Sequence, residues 1–455
     1  MPTLFANAAL LDAGWCENVR LTITDGQIRR IQESVVPDPD DQRVDTILPG
    51  MPNGHSHAFQ RAMAGRAERR HPFGDDFWAW RLTMYSLAER LNPEQLLAIA
   101  TLAYMEMLEA GYTSVAEFHY LHNQRGGKPH VPAHLLAEVH SEAASMAGIR
   151  LTLIPTLYMA NGFDGAALTE AQLRFTNTIE SFLKLVDGIR SRETGHTTGL
   201  GIHSLRAVPA DALRNVVNHA NSEMPDAPVH IHIAEQQREV DECIMSTGQR
   251  PVEWLLNQHD IDERWCLIHA THTTAEELQG IAERRATIIL CPTTEANLGD
   301  GVFNYSNFVP SGGRIVIGSD SQISINPWQE LQLLEYSQRL TQRARYIAAS
   351  DESPNTGRAL FDVALRGGRV ALGRASDGLA EGKAADLIAL NMSDPRLAGL
   401  ACDELINALI FANARNPIDA VMVGGEWKTR AGQHQKYEQF VSSFQDTIKS
   451  FEPSR

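Results

Sequence analysis

Short apolar runs alternate with longer segments of helical periodicity along most of this chain. The runs are rich in Val, Ile, Leu and Thr, whereas the segments between them repeat apolar residues every three to four positions. This alternation is typical of strand–helix units around a parallel sheet, and eight such units close a barrel. The eight runs cover residues 46–57, 113–122, 151–158, 200–208, 229–235, 265–272, 287–292 and 314–320.

The helical segments carry signals for where helices begin and end. Asn92-Pro93 places a capping side chain before a proline at the first helical position, and Gly111 follows the apolar stretch. Thr274 and Glu277 have the spacing of a capping box. These signals predict helices that begin near residues 93 and 275, with structural rather than catalytic roles.

The two ends of the chain follow a different pattern. Strand-like pieces occur at residues 19–24, 386–390 and 420–423. They predict a small β-sandwich domain built from residues 1–48 and 375–430, beside a (β/α)8 TIM-type barrel of the α/β class over residues 49–374. Residues 431–455 are predicted to form a helical tail, with one amphipathic helix over residues 437–451.

The charge of the chain limits its partners. It has 40 Lys and Arg against 56 Asp and Glu, a formal net charge of -16, whereas nucleic acids and anionic membranes select basic surfaces. The first residues lack the basic segment of an export signal, and no apolar run approaches the length of about 18 residues that a membrane helix needs. We expect a cytoplasmic enzyme that handles small molecules, without nucleic-acid or membrane partners.

The cysteines give no sign of a disulfide framework. They are odd in number, widely spaced and free of any Cys-x-x-Cys motif. We therefore expect reduced, mostly buried thiols at Cys16, Cys243, Cys266, Cys291 and Cys402.

Three histidines and one aspartate fall near the ends of separate apolar runs. His55 and His57 close the first run, His232 lies late in the fifth, and Asp320 closes the eighth. Side chains two apart on a strand point to the same face, and neutral imidazoles are natural zinc ligands. A His-x-His pair arises by chance in a chain with 17 histidines. The hypothesis of a metal site therefore rests on the convergence of distant runs. Because reactive groups gather at the carboxyl ends of barrel strands, the four residues are predicted to bind a metal ion.

Two further features refine this metal site. His230 lies one layer deeper than His232 on the same face, so a buried, hydrogen-bonded structural role is expected for it. The chain has no lysine between Lys184 and Lys383, which removes the carboxylated lysine that often bridges two metals. We expect one divalent ion, with room left for water. Zinc is favoured, although such ligands also accept iron, manganese or cobalt.

These residues resemble those of the amidohydrolase superfamily, which comprises metal-dependent hydrolases on a (β/α)8 barrel with a flanking β-sandwich. Within it, the chain looks most like the N-formimino-L-glutamate iminohydrolases (formimidoylglutamate deiminases) of histidine degradation. That resemblance implies conversion of N-formimino-L-glutamate and water to N-formyl-L-glutamate and ammonia by a homodimer with one zinc ion. It spans essentially the whole chain, and its matching pieces are Gly54-His55-Ser56-His57, His232-Ile233-Ala234-Glu235, Ile268-His269-Ala270, Gly318-Ser319-Asp320 and residues 381–387.

The resemblance also implies a set of substrate contacts. Arginine binds carboxylates through a bidentate fork, so Arg81 and Arg206 are expected to recognise a small dicarboxylate. The full set of implied contacts is Gln60, Arg81, Tyr120, His203 and Arg206.

An arginine-rich, aromatic segment follows the first pair of metal ligands. It is predicted to form a cationic lid over the site, and it contains Arg61, Arg66, Arg69, Arg70, Phe77, Trp78, Trp80 and Arg81. For Arg66, Arg69 and Arg70, a solvated or helix-pairing role is preferred over substrate binding.

Three residues are candidates for proton transfer. Asp320 and His269 are placed to accept a proton from the attacking water, and Glu235 to protonate the imino nitrogen so that ammonia can leave. Glu235 lies three residues after His232, so it is expected to reach the site from the loop rather than from the strand. The sequence leaves open which group moves each proton, since the three would titrate together.

Two other functions are compatible with parts of this pattern. A purine, pterin or other heterocycle deaminase would use the same metal ligands, with stacking groups in place of paired arginines. A catalytically inactive barrel would serve as a binding or assembly protein, since a fold never proves a function. The second is disfavoured because no ligand is missing.

Overall fold

The computed structural model describes residues 3–68, 77–192, 195–374, 378–412 and 417–451. Within these residues the strands are β1 (Thr3–Leu11), β2 (Gly14–Thr24), β3 (Gln27–Gln32), β4 (Gln42–Pro49), β5 (Met51–Ser56), β6 (Tyr112–His119), β7 (Arg150–Leu157), β8 (Thr197–Thr198), β9 (Leu200–Ser204), β10 (Val229–Ile233), β11 (Trp265–His269), β12 (Thr287–Leu290), β13 (Arg314–Ile317), β14 (Leu387–Leu390), β15 (Ile418–Val423), β16 (Glu426–Arg430) and β17 (Gln433–His434).

The α-helices of the described residues surround or connect these strands. They are α1 (Phe77–Arg90), α2 (Pro93–Ala110), α3 (Leu135–Ala147), α4 (Ile179–Arg190), α5 (Ala210–Glu223), α6 (Gln237–Thr247), α7 (Pro251–Gln258), α8 (Ala275–Glu283), α9 (Pro292–Leu298), α10 (Tyr305–Phe308), α11 (Pro327–Gln342), α12 (Thr356–Ala371), α13 (Asp403–Phe411) and α14 (Tyr437–Ser450). No described helix is both long enough and apolar enough to cross a membrane.

Parallel strands form the predicted barrel. Their order is β13-β12-β11-β10-β9-β7-β6-β5, with the short β8 pairing with β7. The ends of this sheet meet in a parallel bridge between Ser56 and Asp320. The His57 N–H donates to the Asp320 carbonyl at 2.9 Å, and the Asp320 N–H donates to the His55 carbonyl at 3.0 Å. The predicted (β/α)8 fold is confirmed.

Side chains alternate between the two faces of each barrel strand, and this alternation separates the apolar core from the site. In β10, Ile231 and Ile233 belong to the large apolar core shared with the surrounding helices, and His230 and His232 point the other way, into the barrel. His230 is fully buried, and its Nε2 lies 2.8 Å from the Ala371 carbonyl, in line with the structural role expected for it.

Both ends of the chain build the second sheet. Its order is β17-β16-β15-β14-β4-β1-β2-β3, and β4 pairs with β1 in parallel and with β14 antiparallel. The sheet folds back on itself, since Gln27 bridges to Ala384 and the Ile28 N–H donates to the Lys383 carbonyl at 2.9 Å. Its two layers enclose a separate apolar core, as the sequence predicts.

The capping residues identified in the sequence lie at the ends of helices in the structure. Asn92 and Thr274 cap α2 and α8 with complete capping boxes, and Gly111 ends α2 in the left-handed conformation at φ 102°. The predicted C-terminal helix is α14. Helix α13, inside the stretch predicted only as strands, is an addition to the sequence prediction.

Several barrel strands end earlier than their apolar runs. Strand β10 stops at Ile233 rather than residue 235, and β13 stops at Ile317 rather than residue 320. Strand β10 stops because the next residue, Ala234, adopts a positive φ of 51°. His269 at the end of β11 and Asp320 beyond β13 also have positive φ angles, of 68° and 44°. Left-handed backbone at non-glycine residues is uncommon and concentrates at functional sites.

Candidate metal centre and substrate pocket

Three imidazoles from β5, its following turn and β10 converge on one point. The Nε2 atom of His55 lies 3.1 Å from Nε2 of His57 and 3.1 Å from Nε2 of His232. Around a tetrahedral zinc ion with bonds of about 2.0–2.1 Å, nitrogens would be about 3.3 Å apart. The spacing therefore fits a shared metal ion.

Asp320 completes this group from the segment that follows the last barrel strand. Its Oδ1 lies 3.3 Å from Nε2 of His55 and 3.3 Å from Nε2 of His57. The ligand atoms of these four buried residues lie within 4.8 Å of one another. The barrel-closing bridge brings Asp320 here, because its backbone is hydrogen-bonded on both sides of Ser56.

Backbone carbonyls orient two of the three rings. Nδ1 of His57 lies 3.0 Å from the Phe118 carbonyl, and Nδ1 of His232 lies 3.0 Å from the His203 carbonyl. A carbonyl only accepts hydrogen bonds, so Nδ1 carries the proton and Nε2 presents its lone pair to the centre. Such partners fix the tautomer of metal-binding histidines.

Burial keeps the ligand imidazoles neutral. Burial, with His57 beside it, lowers the pKa of His55 to about 3, and burial lowers the pKa of His57 and His232. Burial alone would raise the pKa of Asp320, but its hydrogen bond with His55 and the neighbouring imidazoles lower it. Neutral imidazoles and an ionised carboxylate are the forms that bind a metal.

A cavity of about 50 Å³ opens onto this group and gathers the residues predicted from the sequence. His55 lies beneath it, with none of its surface exposed. The lining contains the other predicted residues: His57, Gln60, Arg81, Tyr120, His203, Arg206, His232, Glu235, His269 and Asp320. A larger outer cavity of about 870 Å³ shares Arg81, Tyr85 and Arg206 with it, so these side chains stand between the two.

The arginines at this boundary are mostly buried and stack on one indole. The guanidinium carbons of Arg81 and Arg206 lie 4.9 and 5.0 Å from the centre of the Trp78 ring. The Nε of Arg81 donates to the Tyr85 hydroxyl at 2.7 Å. Such packing holds both cations at the pocket in a fixed orientation.

Glu235 and His269 face each other beside the metal-binding group. Nε2 of His269 lies 3.7 Å from Oε1 of Glu235 and 3.8 Å from Oδ2 of Asp320. Burial, with Asp320 nearby, raises the pKa of Glu235 to about 7, although His269 opposes the shift. Glu235 and Glu295 raise the pKa of His269 against the effect of burial. Glu235 reaches the site from the loop after β10, as the sequence predicts.

Sequence reasoning missed two contacts at the site. Tyr85 bonds Arg81 one helical turn away, and Glu295 contacts His269 from α9. The i,i+4 spacing is a signal for the first contact once a helix is assumed. A carboxylate five residues beyond the end of β12 is the only signal for the second.

The predicted lid falls partly outside the described residues. Arg69 and Arg70 lie there, and α1 begins at Phe77. Arg66 is exposed, as expected for a solvated side chain. All five cysteines are free thiols, and three of them are buried, as predicted.

Comparison with known proteins identifies the family. The amidohydrolase family matches residues 46–428, and the formimidoylglutamate deiminase HutF N-terminal domain matches residues 1–45. A formimidoylglutamate deiminase from Pseudomonas aeruginosa is 46% identical over 448 residues, covering 98% of each chain. An 8-oxoguanine deaminase from the same species is 28% identical over 394 residues, covering 85% of this chain and 82% of that protein.

Solved structures agree with this assignment. The crystal structure of an amidohydrolase from Brucella melitensis shares 46% sequence identity and superposes with a TM-score of 0.94, covering 99% of both chains. The matched regions include both the barrel and the sheet built from the chain ends. The chain belongs to the amidohydrolase family and shares the N-terminal domain of the formimidoylglutamate deiminases.

Proposed function

We propose that this chain hydrolyses N-formimino-L-glutamate to N-formyl-L-glutamate and ammonia, a step of histidine degradation. The 46% identity to a formimidoylglutamate deiminase over 98% of the chain supports this reaction. The structural observation that supports it most is the placement of Arg81 and Arg206 on the same small cavity as the metal-binding group. A substrate with two carboxylates and an amidine-like group needs both features.

Arg206 is prepared to bind an anion. Its Nε is buried and has no hydrogen-bond partner among the described residues. A buried donor left without a partner costs about 1 to 3 kcal/mol, and more when it is charged. A substrate carboxylate removes this cost by accepting from the guanidinium, so binding energy is directed at the acidic groups of the substrate.

We further propose that His55, His57, His232 and Asp320 hold one zinc ion. Zinc would lower the pKa of a bound water to about 7 and so supply a nucleophile near neutral pH. A second group of close ligand atoms, from His269, Cys291 and Asp320, is less suited to a metal. Burial raises the pKa of the Cys291 thiol well above its ordinary value, and a protonated thiol is a poor ligand.

Proton transfer and substrate binding are the tasks of the side chains around the metal-binding group. Glu235 has its pKa raised to about 7, so a fraction of it is protonated at neutral pH and can donate to the departing nitrogen. Asp320 and His269, whose facing atoms lie 3.8 Å apart, are the candidates to accept the proton that the attacking water loses. Gln60 donates to the Tyr120 hydroxyl at 3.0 Å, which leaves its buried Oε1 without a partner among the described residues and open to a substrate N–H.

A heterocycle deaminase is the second candidate, favoured by the 28% identity to 8-oxoguanine deaminase. A planar base needs stacking surfaces and neutral hydrogen-bond partners, whereas two buried guanidiniums favour an anionic substrate. The cytoplasmic location expected from the sequence and the homodimeric state implied by the resemblance remain part of our proposal.

A substrate panel tests the reaction. Purified enzyme is assayed for ammonia release from N-formimino-L-glutamate, its aspartate homologue, a guanidino analogue and 8-oxoguanine, with the zinc content measured on the same sample. We expect the highest kcat/KM with N-formimino-L-glutamate. Ammonia from 8-oxoguanine alone would establish the heterocycle deaminase instead, and a protein without metal or activity would favour the scaffold.

A further inference from the structure

We infer that Glu295 is a positioning residue for the reaction: it holds the His269 ring so that Nε2, rather than Nδ1, faces the reacting atoms. The inference rests on the proposed function and extends it to a carboxylate that the sequence pattern did not single out. Its basis is the contact between Glu295 and His269, together with the way in which each residue is anchored.

The contact is direct and buried. Oε1 of Glu295 lies 3.2 Å from Nδ1 of His269, and the two residues are 6% and 1% exposed. A carboxylate accepts hydrogen bonds at neutral pH, so Nδ1 donates its proton to Glu295. The opposite nitrogen, Nε2, is then the atom that faces Glu235 and Asp320 at 3.7 and 3.8 Å.

The Glu295 carboxylate is itself held in place by a backbone hydrogen bond. The Cys291 N–H donates to the same Oε1 at 2.8 Å, at the beginning of α9. Proline at the first position of α9 makes this turn stiff. Glu295 therefore presents its acceptor from a rigid element rather than from a free loop.

The backbone of His269 explains why the ring needs such a partner. His269 and Ala270 both have positive φ, at 68° and 47°, so the chain turns sharply where β11 ends. A side chain on a turn of this kind is not oriented by strand pairing alone. The hydrogen bond from Nδ1 fixes its tautomer and rotation, as a carboxylate does for imidazoles in other acid–base sites.

The proton balance follows from this arrangement. When water adds to the formimino carbon, its proton passes to Nε2 of His269 or to Asp320, and the Nδ1 proton stays in its hydrogen bond to Glu295. If His269 takes it, the ring becomes a cation beside the Glu295 anion, which lowers the energy of that state. When the C–N bond of the adduct breaks, that proton leaves with the ammonia nitrogen, and the hydroxyl proton of the adduct restores the acid form of Glu235, so no other reactant is required.

The test compares Glu295→Gln with Glu330→Gln. Glu330 is a fully buried carboxylate that holds the same segment by accepting from the Thr293 N–H at 2.8 Å, and no hydrogen bond joins it to His269 among the described residues. We expect Glu295→Gln to lower kcat by up to about 10⁴-fold, the loss that follows when a carboxylate that orients a catalytic histidine becomes an amide. KM and zinc content should change less than about threefold. Glu330→Gln should lower the Tm and leave kcat within about threefold.

A double variant separates positioning from structural damage. If Glu295 acts through His269, then His269→Gln with Glu295→Gln should lose no more activity than His269→Gln alone. Multiplicative losses, or a fall in zinc content equal to the fall in kcat, would overturn the inference. Full activity in His269→Gln would contradict the proton-transfer role in the proposed function itself, so the two failures are distinguishable.

Discussion

Ser56 and Asp320 pair across the seam where the barrel closes, and the hydrogen bonds on either side of Ser56 bring three of the four metal-binding residues together. The Asp320 N–H donates to the His55 carbonyl, and the His57 N–H donates to the Asp320 carbonyl. Closure of the barrel thus also places His55, His57 and Asp320 side by side.

Substitution Gly318→Ala should impair both the closure of the barrel and the binding of metal. A Cβ at this position would lie 2.8 Å from the His55 nitrogen and 2.9 Å from its carbonyl oxygen, both backbone atoms that cannot move aside. We expect the free energy of unfolding to fall by about 1 to 3 kcal/mol, as in other overpacked sites. Thermal unfolding and zinc content measure the two effects. Gly280→Ala is the control, since its nearest neighbour is the flexible end of Leu256.

Substitution Asp320→Asn should remove the metal. The amide keeps the size of the side chain but loses the charge that faces His55 and His57. Substitution of a residue that only supports the ligands lowers metal affinity by about 10- to 100-fold. Substitution of a ligand itself should therefore lower it by at least about 100-fold. Metal analysis and ammonia release check this. Ser321→Ala, which loses a hydroxyl contact with Thr294 instead, should keep its metal.

Chelation should inactivate the wild-type enzyme and destabilise it. A ligand present at 1,000 times its Kd stabilises the folded state by about 4.1 kcal/mol, and removing it forfeits that amount. We expect a lower Tm after treatment with a chelator and recovery of both Tm and activity on adding zinc. An unchanged Tm together with unchanged activity would argue against any metal at this site.

Substitution Arg206→Gln should weaken use of the dicarboxylate. Charge-assisted hydrogen bonds contribute about 1.5 to 3 kcal/mol, so kcat/KM should fall about 10- to 150-fold while zinc is retained. Arg238→Gln is a matched control, because Arg238 also stacks on Trp78, at 4.5 Å, but is 61% exposed and paired with Glu242. Equal losses in both variants would contradict a specific role for Arg206.

Substitution Glu235→Gln should slow the chemistry without releasing zinc. Glu235 donates a proton only in its acid form, and burial raises its pKa to about 7. The wild-type kcat should therefore fall as the pH rises above about 7, whereas the variant should be about 10²- to 10⁴-fold slower below that pH and should show no such fall. A wild-type profile that stays flat into the alkaline range would show that another group delivers the proton.

The barrel and the metal-binding group were predictable because each rests on a pattern in the sequence. Strand periodicity locates the apolar runs, and their carboxyl ends meet at one edge, so His55, His232 and Asp320 are brought together by topology alone. The arginines were identified by resemblance, and their orientation on Trp78 becomes visible only with α1 in place.

What could not be predicted depends on backbone conformation that periodicity does not encode. The apolar runs continue through Ala234 and Asp320, whereas β10 ends just before the left-handed residue Ala234 and β13 ends at Ile317. The contact between Glu295 and His269 needs both the turn at His269 and the start of α9, and no spacing rule joins residues 26 positions apart.

The pairing of β4 with β14 sets an order for biosynthesis. Strand β4 ends at Pro49 and its partner begins at Leu387, so the first strands must wait while roughly 340 residues are translated. At about 5 to 20 residues per second this delay lasts tens of seconds, during which one edge of the nascent sheet has no permanent neighbour. We expect fragments truncated before residue 387 to aggregate as they leave the ribosome, which pelleting of stalled chains would measure.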